Sequence, residues 1–312
     1  MVCEKIFLSG DSGAYLETYV LDNSQEFHKD MPRKTVLVLP GGAYAFTSDR
    51  EAEFIALGFA AKGFHAVVLR YSVKQGAAMP QPILEAFQAI SIIRERAAEW
   101  FVDPQKIAVC GFSAGGHLAS CAMTFWKDQS ILEKLGKSAE EIKPNAGILC
   151  YPCIVFPFRA PARPGDAPLE SLEEIRGQTR AFMGVGEAED VSDLVYIKDN
   201  AIWQDFSKTF DRIVMGRSDF QPEELAVYAT DKLVDADTPP AFIWTTRTDA
   251  TVPIDDSLDF ATAMLRKDRP FELHIYADGQ HGLALANEET AIVNERAETW
   301  FPLAVSWLKK TL

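Results

Sequence analysis

Short runs of consecutive apolar, mostly β-branched residues recur along this chain at 35–39, 66–70, 107–110, 146–150, 241–245 and 271–276. Most lack polar alternation, as strands buried on both faces do. The stretches between them carry apolar residues at helical spacing. Residues 82–100 put Ile83, Leu84, Phe87, Ile90 and Ile93 on one face, with Pro82 near the start. Residues 51–62 and 255–267 read the same way, and 289–310 align Trp300, Leu303, Ala304 and Trp307 in one stripe. Alternating strand and helix predict an α/β fold, a doubly wound and mostly parallel sheet with helices on both faces. The first thirty residues alternate instead, as in 13–21, and predict antiparallel edge strands.

One region breaks this rhythm. Residues 156–217 contain no convincing sheet strand. They open on a proline-rich loop, and acidic pieces at 169–182 and, further on, 223–234 predict helices. A structureless loop of that length is unusual in a compact domain. The segment therefore reads as a cap or lid inserted into a single domain that spans 1–312.

Composition narrows the function classes. The chain has 312 residues, ample for a full core without a disulfide or metal staple. Its 31 basic against 45 acidic side chains give a net charge of −14, which disfavours a nucleic-acid surface or an anionic membrane. The five cysteines, Cys3, Cys110, Cys121, Cys150 and Cys153, are odd in number and scattered, as in a reduced cytosolic chain. Cys150 and Cys153 form a C-x-x-C, but it ends an apolar run instead of opening a helix, so core cysteines are expected. No second Cys/His pair has metal-ligand spacing. The N-terminus lacks the basic start and apolar stretch of a signal peptide, and no window approaches the roughly 18 apolar residues of a membrane span. The expectation is a cytoplasmic protein with no metal and no cofactor, and a homo-oligomer stays open.

The chemistry centres on Gly111-Phe112-Ser113-Ala114-Gly115. A serine hydroxyl is a poor nucleophile until a base and an oxyanion site are built around it. In G-x-S-x-G the glycines permit a tight strand-to-helix turn that pushes the serine out of the sheet. Alone the pattern is weak, with about one chance match in ten chains of this length. Here a strand-like run at 107–110 precedes it, and Leu118, Ala119, Ala122, Met123 and Trp126 follow at helical spacing, which is the setting the motif requires. Upstream, the run 35–39 ends in Pro40-Gly41-Gly42-Ala43-Tyr44, where small residues let backbone N–H groups approach a ligand. Gly42 and Ala43, with Ala114 after the serine, are the expected oxyanion donors.

Histidine is the side chain suited to shuttle the proton at neutral pH. Of the five, His28 lies in the polar N-terminal stretch, His65 begins a strand, His117 follows the serine turn on its helix, and His274 alternates within a strand. His281 lies in Asp278-Gly279-Gln280-His281-Gly282, a turn just after the last strand, where a catalytic base belongs. The orienting acid should follow the preceding strand. Asp249 sits at that loop tip, while Asp255 and Asp256 come where a helix starts and capping is their expected role. Asp49 and Arg50 are candidates for positioning the oxyanion loop, or equally for surface and helix-start duties.

These residues carry a family resemblance. The segments Leu39-Pro-Gly-Gly-Ala-Tyr, Thr47-Ser-Asp-Arg-Glu-Ala, Val68-Leu-Arg-Tyr-Ser-Val, Gly111-Phe-Ser-Ala-Gly-Gly-His-Leu-Ala, Pro239-Pro-Ala-Phe-Ile-Trp, Asp249-x-x-Val-Pro and Gly279-Gln-His-Gly-Leu occur in order between 36 and 285. The chain resembles the esterase/lipase group of α/β-hydrolases, particularly carbohydrate esterases of the acetyl xylan esterase type. Ala43 stands where that group usually has a third glycine, which its backbone N–H tolerates. The resemblance implies the α/β-hydrolase fold, a Ser113–Asp249–His281 triad, no cofactor, and a small-molecule or oligosaccharide ester as substrate, with acetyl as the acyl group and a sugar as the alcohol. An amidase or peptidase on the same triad, a general short-chain carboxylesterase and a non-catalytic binding module remain as alternatives.

Overall fold

The computed structural model describes residues 1–10, 12–26 and 29–312. Eleven strands form among these residues: β1 (Lys5–Phe7), β2 (Tyr15–Tyr19), β3 (Arg33–Leu39), β4 (His65–Arg70), β5 (Val102–Phe112), β6 (Ala146–Cys150), β7 (Arg163–Pro164), β8 (Val195–Lys198), β9 (Ala201–Gln204), β10 (Ala241–Thr246) and β11 (Phe271–Tyr276). Eight of them build the main sheet in the order β1-β2-β4-β3-β5-β6-β10-β11. From β4 to β11 every pairing is parallel; β1 and β2 close one edge antiparallel. This is the doubly wound, mostly parallel sheet that the apolar runs predict.

Strand periodicity sorts the core into two layers. Leu37, Leu39, Val67, Leu69, Val109, Leu149 and Ile243 face one side, where they meet the helices Gln81–Glu95, Ala114–Thr124 and Ile254–Arg266. Val36, Val38, Ala66, Val68, Ala108, Cys110, Ile148, Phe242 and Trp244 face the other side, against Glu53–Ala60 and Trp300–Thr311. Alternate residues of one strand thus feed opposite cores. The last helix is shorter than its stripe suggests. It begins at Trp300, because residues 288–299 are spent on two isolated 3₁₀ turns and a left-handed Ala291. Four of the five cysteines, including Cys150 and Cys153, are buried free thiols, and Cys3 is exposed. Among the described residues no helix is long and apolar enough to cross a membrane.

The 156–217 segment, expected as an inserted cap, differs from its sequence reading. It contains the helices Leu172–Met183 and Phe206–Met215, but also a small sheet in the order β7-β9-β8. β8 and β9 are joined by Asp199-Asn200, both at positive φ, a two-residue hairpin turn that short polar side chains tolerate. Strands of four residues carry too little alternation to be read from sequence. The expected helix at 223–234 is likewise broken into Pro222–Ala226 and a 3₁₀ turn at Thr230–Lys232. Apolar residues of the insertion, among them Ile175, Leu194, Val195, Ile202 and Phe210, are continuous with the core on the first face of the main sheet.

Two buried carboxyls pin the segment that leaves β6 for the insertion. Asp256 accepts the N–H groups of Ile154 and Val155 at 2.7 and 3.1 Å, and Asp211 accepts that of Phe158 at 3.0 Å. This replaces the capping role expected for Asp256, whose helix start has no side-chain cap. Burial raises both acids, Asp256 to about 6 and Asp211 to about 7. A carboxyl raised on folding adds stability below its unfolded pKa near 4, and this is lost as pH rises through the folded value. Asp211→Asn keeps an oxygen for Phe158 and cannot ionise. Relative to wild type its melting temperature should therefore improve by roughly 2 °C or more between about pH 5 and about pH 8. Thermal melts at the two pH values check this, and a pH-independent difference would refute it.

Candidate active site

The serine turn is built by the absence of side chains. β5 runs between β3 and β6, with Gly111 opposite Leu39 and Phe112 opposite Cys150. Ser113 follows at φ 53°, a left-handed conformation costly for a residue with a β-carbon, and the helix Ala114–Thr124 starts at once. A β-carbon on Gly111 would lie 2.0 Å from the carbonyl oxygen of Gly115. One on Gly115 would lie 2.1 Å from that of Leu39 and 2.4 Å from that of Pro40. The glycines therefore let the helix start lie directly on the end of β3. Backbone bonds lock the strained residue in place: the Ser113 N–H donates to the Cys150 carbonyl at 3.0 Å, and the Ser113 carbonyl accepts from His117 and Cys153.

Three loops at the carboxyl edge of the parallel sheet converge on this serine. His281, after β11, places Nε2 2.8 Å from Ser113 Oγ. Its Nδ1 lies 2.6 Å from Oδ2 of Asp249, after β10. The Asp249 side chain is 1% exposed, and its Oδ1 accepts the N–H groups of Thr251 and Val252 at 2.8 and 3.0 Å. The carboxylate is thus saturated and oriented before it meets the imidazole. The Asp249 and His281 loops are also tied to each other, because the Thr246 and Thr248 hydroxyls both donate to the Gly279 carbonyl. Asp255 is exposed on the next helix and Asp256 is engaged with Ile154 and Val155.

The other histidines have other partners. His65 accepts the Leu21 N–H, and His117 bonds the Tyr44 hydroxyl and the Tyr228 carbonyl. Burial lowers both to about 4, so each is a neutral structural imidazole. His274 pairs with Glu272 on the edge strand, and His28 lies outside the described residues.

The glycine loop after β3 lies beside the serine. A β-carbon on Gly41 would sit 3.0 Å from that of Ser113, and Gly42 takes φ 124°, where an added β-carbon would strike the Phe46 carbonyl. Ala43 and Tyr44 follow in left-handed conformations. Among the described residues the N–H groups of Gly42, Ala43 and Ala114 find no acceptor, which is the condition of groups waiting for a ligand. A pocket of about 220 Å³ opens here, its walls including Gly42, Ala43, Ser113 and His281. The insertion contributes Phe182 and Phe206 to the same walls. Among the described residues no three His, Cys, Asp or Glu side chains gather as metal ligands.

Sequence reasoning missed the residue that ties these parts together. Glu51 is 3% exposed. Its Oε2 accepts the Gly41 N–H at 2.8 Å and its Oε1 accepts the Tyr151 hydroxyl at 2.7 Å. The Tyr151 oxygen in turn accepts the Ala284 N–H at 2.9 Å, and its ring meets the His281 imidazole edge-on at 5.0 Å. Burial and the adjacent Glu51 push the Tyr151 hydroxyl well above its usual range, so it remains a donor. One buried carboxylate therefore links the glycine loop to the histidine loop. The two neighbours considered from sequence do different work: Asp49 is an exposed partner of Arg70, and Arg50 lies on the pocket wall near Gly282. An Asp-Arg-Glu run reads as surface, and nothing local marks its third member as buried.

Known proteins are similar to this chain in sequence and fold. The BD-FAE family matches residues 21–153, and the prolyl oligopeptidase family matches residues 179–309. The chain is 27% identical over 264 residues to endo-1,4-beta-xylanase B of Butyrivibrio fibrisolvens, covering 83% of this chain and 34% of that protein. It is 24% identical over 278 residues to the acetylxylan esterase of Xylanibacter ruminicola, covering 88% of this chain and 45% of that protein. It thus spans less than half the length of either relative. Among solved structures, the acetyl ester-xyloside bifunctional hydrolase from Caldicellulosiruptor lactoaceticus superposes with a TM-score of 0.69 at 27% identity, over 98% of this chain and 96% of that one. The carboxylesterase Cest-2923 from Lactobacillus plantarum gives a TM-score of 0.71 at 25% identity, over 99% and 98% of the two chains. With its mostly parallel eight-stranded sheet and these neighbours, the chain has the α/β-hydrolase fold and is similar to esterases of that fold.

Proposed function

We propose that the protein is a serine carboxylic-ester hydrolase that removes acetyl groups from acetylated sugars or oligosaccharides. The observation that carries this reading is the unbroken chain from Ser113 Oγ through His281 to a saturated Asp249, beside three N–H groups without acceptors. In the first step Ser113 Oγ bonds to the acyl carbon while its proton passes to His281 Nε2. The N–H groups of Gly42, Ala43 and Ala114 take the negative charge of the carbonyl oxygen. The bond to the alcohol then breaks, and the alcohol leaves with the proton from His281. In the second step water gives a proton to His281 and its oxygen to the acyl carbon, releasing the acid and restoring the serine. Asp249 holds the imidazole tautomer and offsets its charge when protonated.

Acetyl is favoured by the small pocket, which Phe182 and Phe206 crowd from the side of the insertion. A sugar alcohol is favoured by the rim, where Phe46 is 52% exposed and Arg50 offers donors. The sugar is also suggested by the acetylxylan esterase and acetyl ester-xyloside hydrolase relatives. Small amides remain a second reading, because the prolyl oligopeptidase family matches residues 179–309.

Acetate release from acetylated xylo-oligosaccharides, compared with short aryl esters and anilides, tests the substrate. Wild type should release acetate from the sugar, and Ser113→Ala should abolish it; a variant with full turnover would remove Ser113 from the reaction. Asp249→Asn should cut kcat by roughly 10⁴ in steady-state assays. Asp256→Asn should not, and the reverse result would move the acid. Glu51→Gln and Tyr151→Phe should each lower kcat by roughly tenfold with KM little changed, and the double variant should lose no more than the worse single. Fully additive losses would break the proposed link between the two.

A further inference from the structure

Phe206 borders three cavities at once. It lines the pocket that holds Ser113 and His281, a second cavity of about 290 Å³ between Ile175, Leu194 and Thr209, and a third of about 350 Å³ beside Arg163 and Ala250. Phe182 lines the first two. The second cavity is walled by Ile175, Leu194 and Val195 as well as the two phenylalanines, and is mostly apolar. The third is more polar, with Arg163, Gln204 and Thr251 on its walls.

Local structure fixes where the Phe206 ring stands. Asp205 caps the helix Phe206–Met215 by accepting the Lys208 N–H at 3.0 Å, and its own N–H donates to the Leu194 carbonyl. Phe206 is thus the first helical residue, held on both sides of its backbone. Its ring lies parallel to that of Phe210 at 6.2 Å and meets Phe158 edge-on at 6.2 Å. Phe182 is held in the same manner against Phe46, edge-on at 6.5 Å. Rings supported this way form a wall, since turning either would forfeit packed contacts.

We infer that Phe206, with Phe182, is the partition that sets acyl length, and that the apolar cavity on its far side is a subsite for longer straight-chain acyl groups. The inference rests on the ester-hydrolase reading and deepens it. With the ring in place the pocket beside Ser113 stays separate from the second cavity. Without it the first and second cavities join, and each added methylene can be buried against Ile175, Leu194 and Val195.

The test is a chain-length series of p-nitrophenyl esters, from acetate to octanoate, on wild type, Phe206→Ala and Phe206→Leu. Wild type should favour acetate. In Phe206→Ala the ratio of kcat/KM for octanoate over acetate should rise by at least about tenfold, with a smaller rise in Phe206→Leu. Adding Thr179→Phe, which refills the second cavity, to the Phe206→Ala protein should cancel the gain. An unchanged ratio in active variants would overturn the partition. A gain that survives Thr179→Phe would send the chain into the third cavity instead and overturn the assigned subsite. If Phe206→Ala does not fold, Phe206→Leu carries the same comparison. A wild type inert towards every ester would sink the ester-hydrolase reading itself, a result distinct from an active enzyme whose chain-length profile does not move.

Discussion

Residues 111 and 115 leave no room for a β-carbon, and the rest of the site depends on that contact. The start of the helix Ala114–Thr124 rests on the Leu39 and Pro40 carbonyls, so the end of β3 and the end of β5 share one small volume. This closeness forces Ser113 into a left-handed conformation and sets the glycine loop directly beside it. Strain at one residue is tolerable because backbone bonds to Cys150, Cys153 and His117 over-determine it. Ser113 and the N–H groups without acceptors are thus positioned by one steric fact, before any polar interaction between side chains is considered.

Polar groups then join what the close contact leaves separate. Asp249 arrives at His281 with its second oxygen already occupied, so the imidazole meets a carboxylate of fixed direction. Glu51 and Tyr151 span from the Gly41 N–H to the Ala284 N–H, which couples the loop after β3 to the loop after β11. A buried carboxylate with every oxygen used is rigid, and a half-satisfied one would be costly. Precision at the serine is thus inherited from a buried network one residue removed from it, through Gly41 and His281.

The insertion is held to the body by a different physics. Its apolar face merges with one core of the main sheet, and its launching segment is pinned by two carboxyls that burial keeps hard to ionise. An aromatic group runs from Tyr44 through Phe210 to Phe206, from the glycine loop after β3 to the wall of the pocket. Phe206 on the pocket wall therefore belongs to the same packed unit as the glycine loop beside Ser113.

Much of this was legible in one dimension. Runs such as Val36–Leu39 are apolar on both faces, which only a central parallel strand demands, and the order serine, acid, histidine with a glycine loop ahead of it follows from chain direction and loop position. Local geometry carries those signals, so the sequence alone named Ser113, Asp249 and His281 as residues that should meet. It also placed Gly42, Ala43 and Ala114 beside them. Glu51, Tyr151, Phe182 and Phe206 gave no such sign. A glutamate in a charged run, a tyrosine after a strand and two phenylalanines in an irregular segment take their roles from partners far along the chain, as Tyr151 does from Ala284 and Phe182 from Phe46. Tertiary packing alone chose those partners, because burial and convergence of loops are properties of the folded volume and leave no period along the chain.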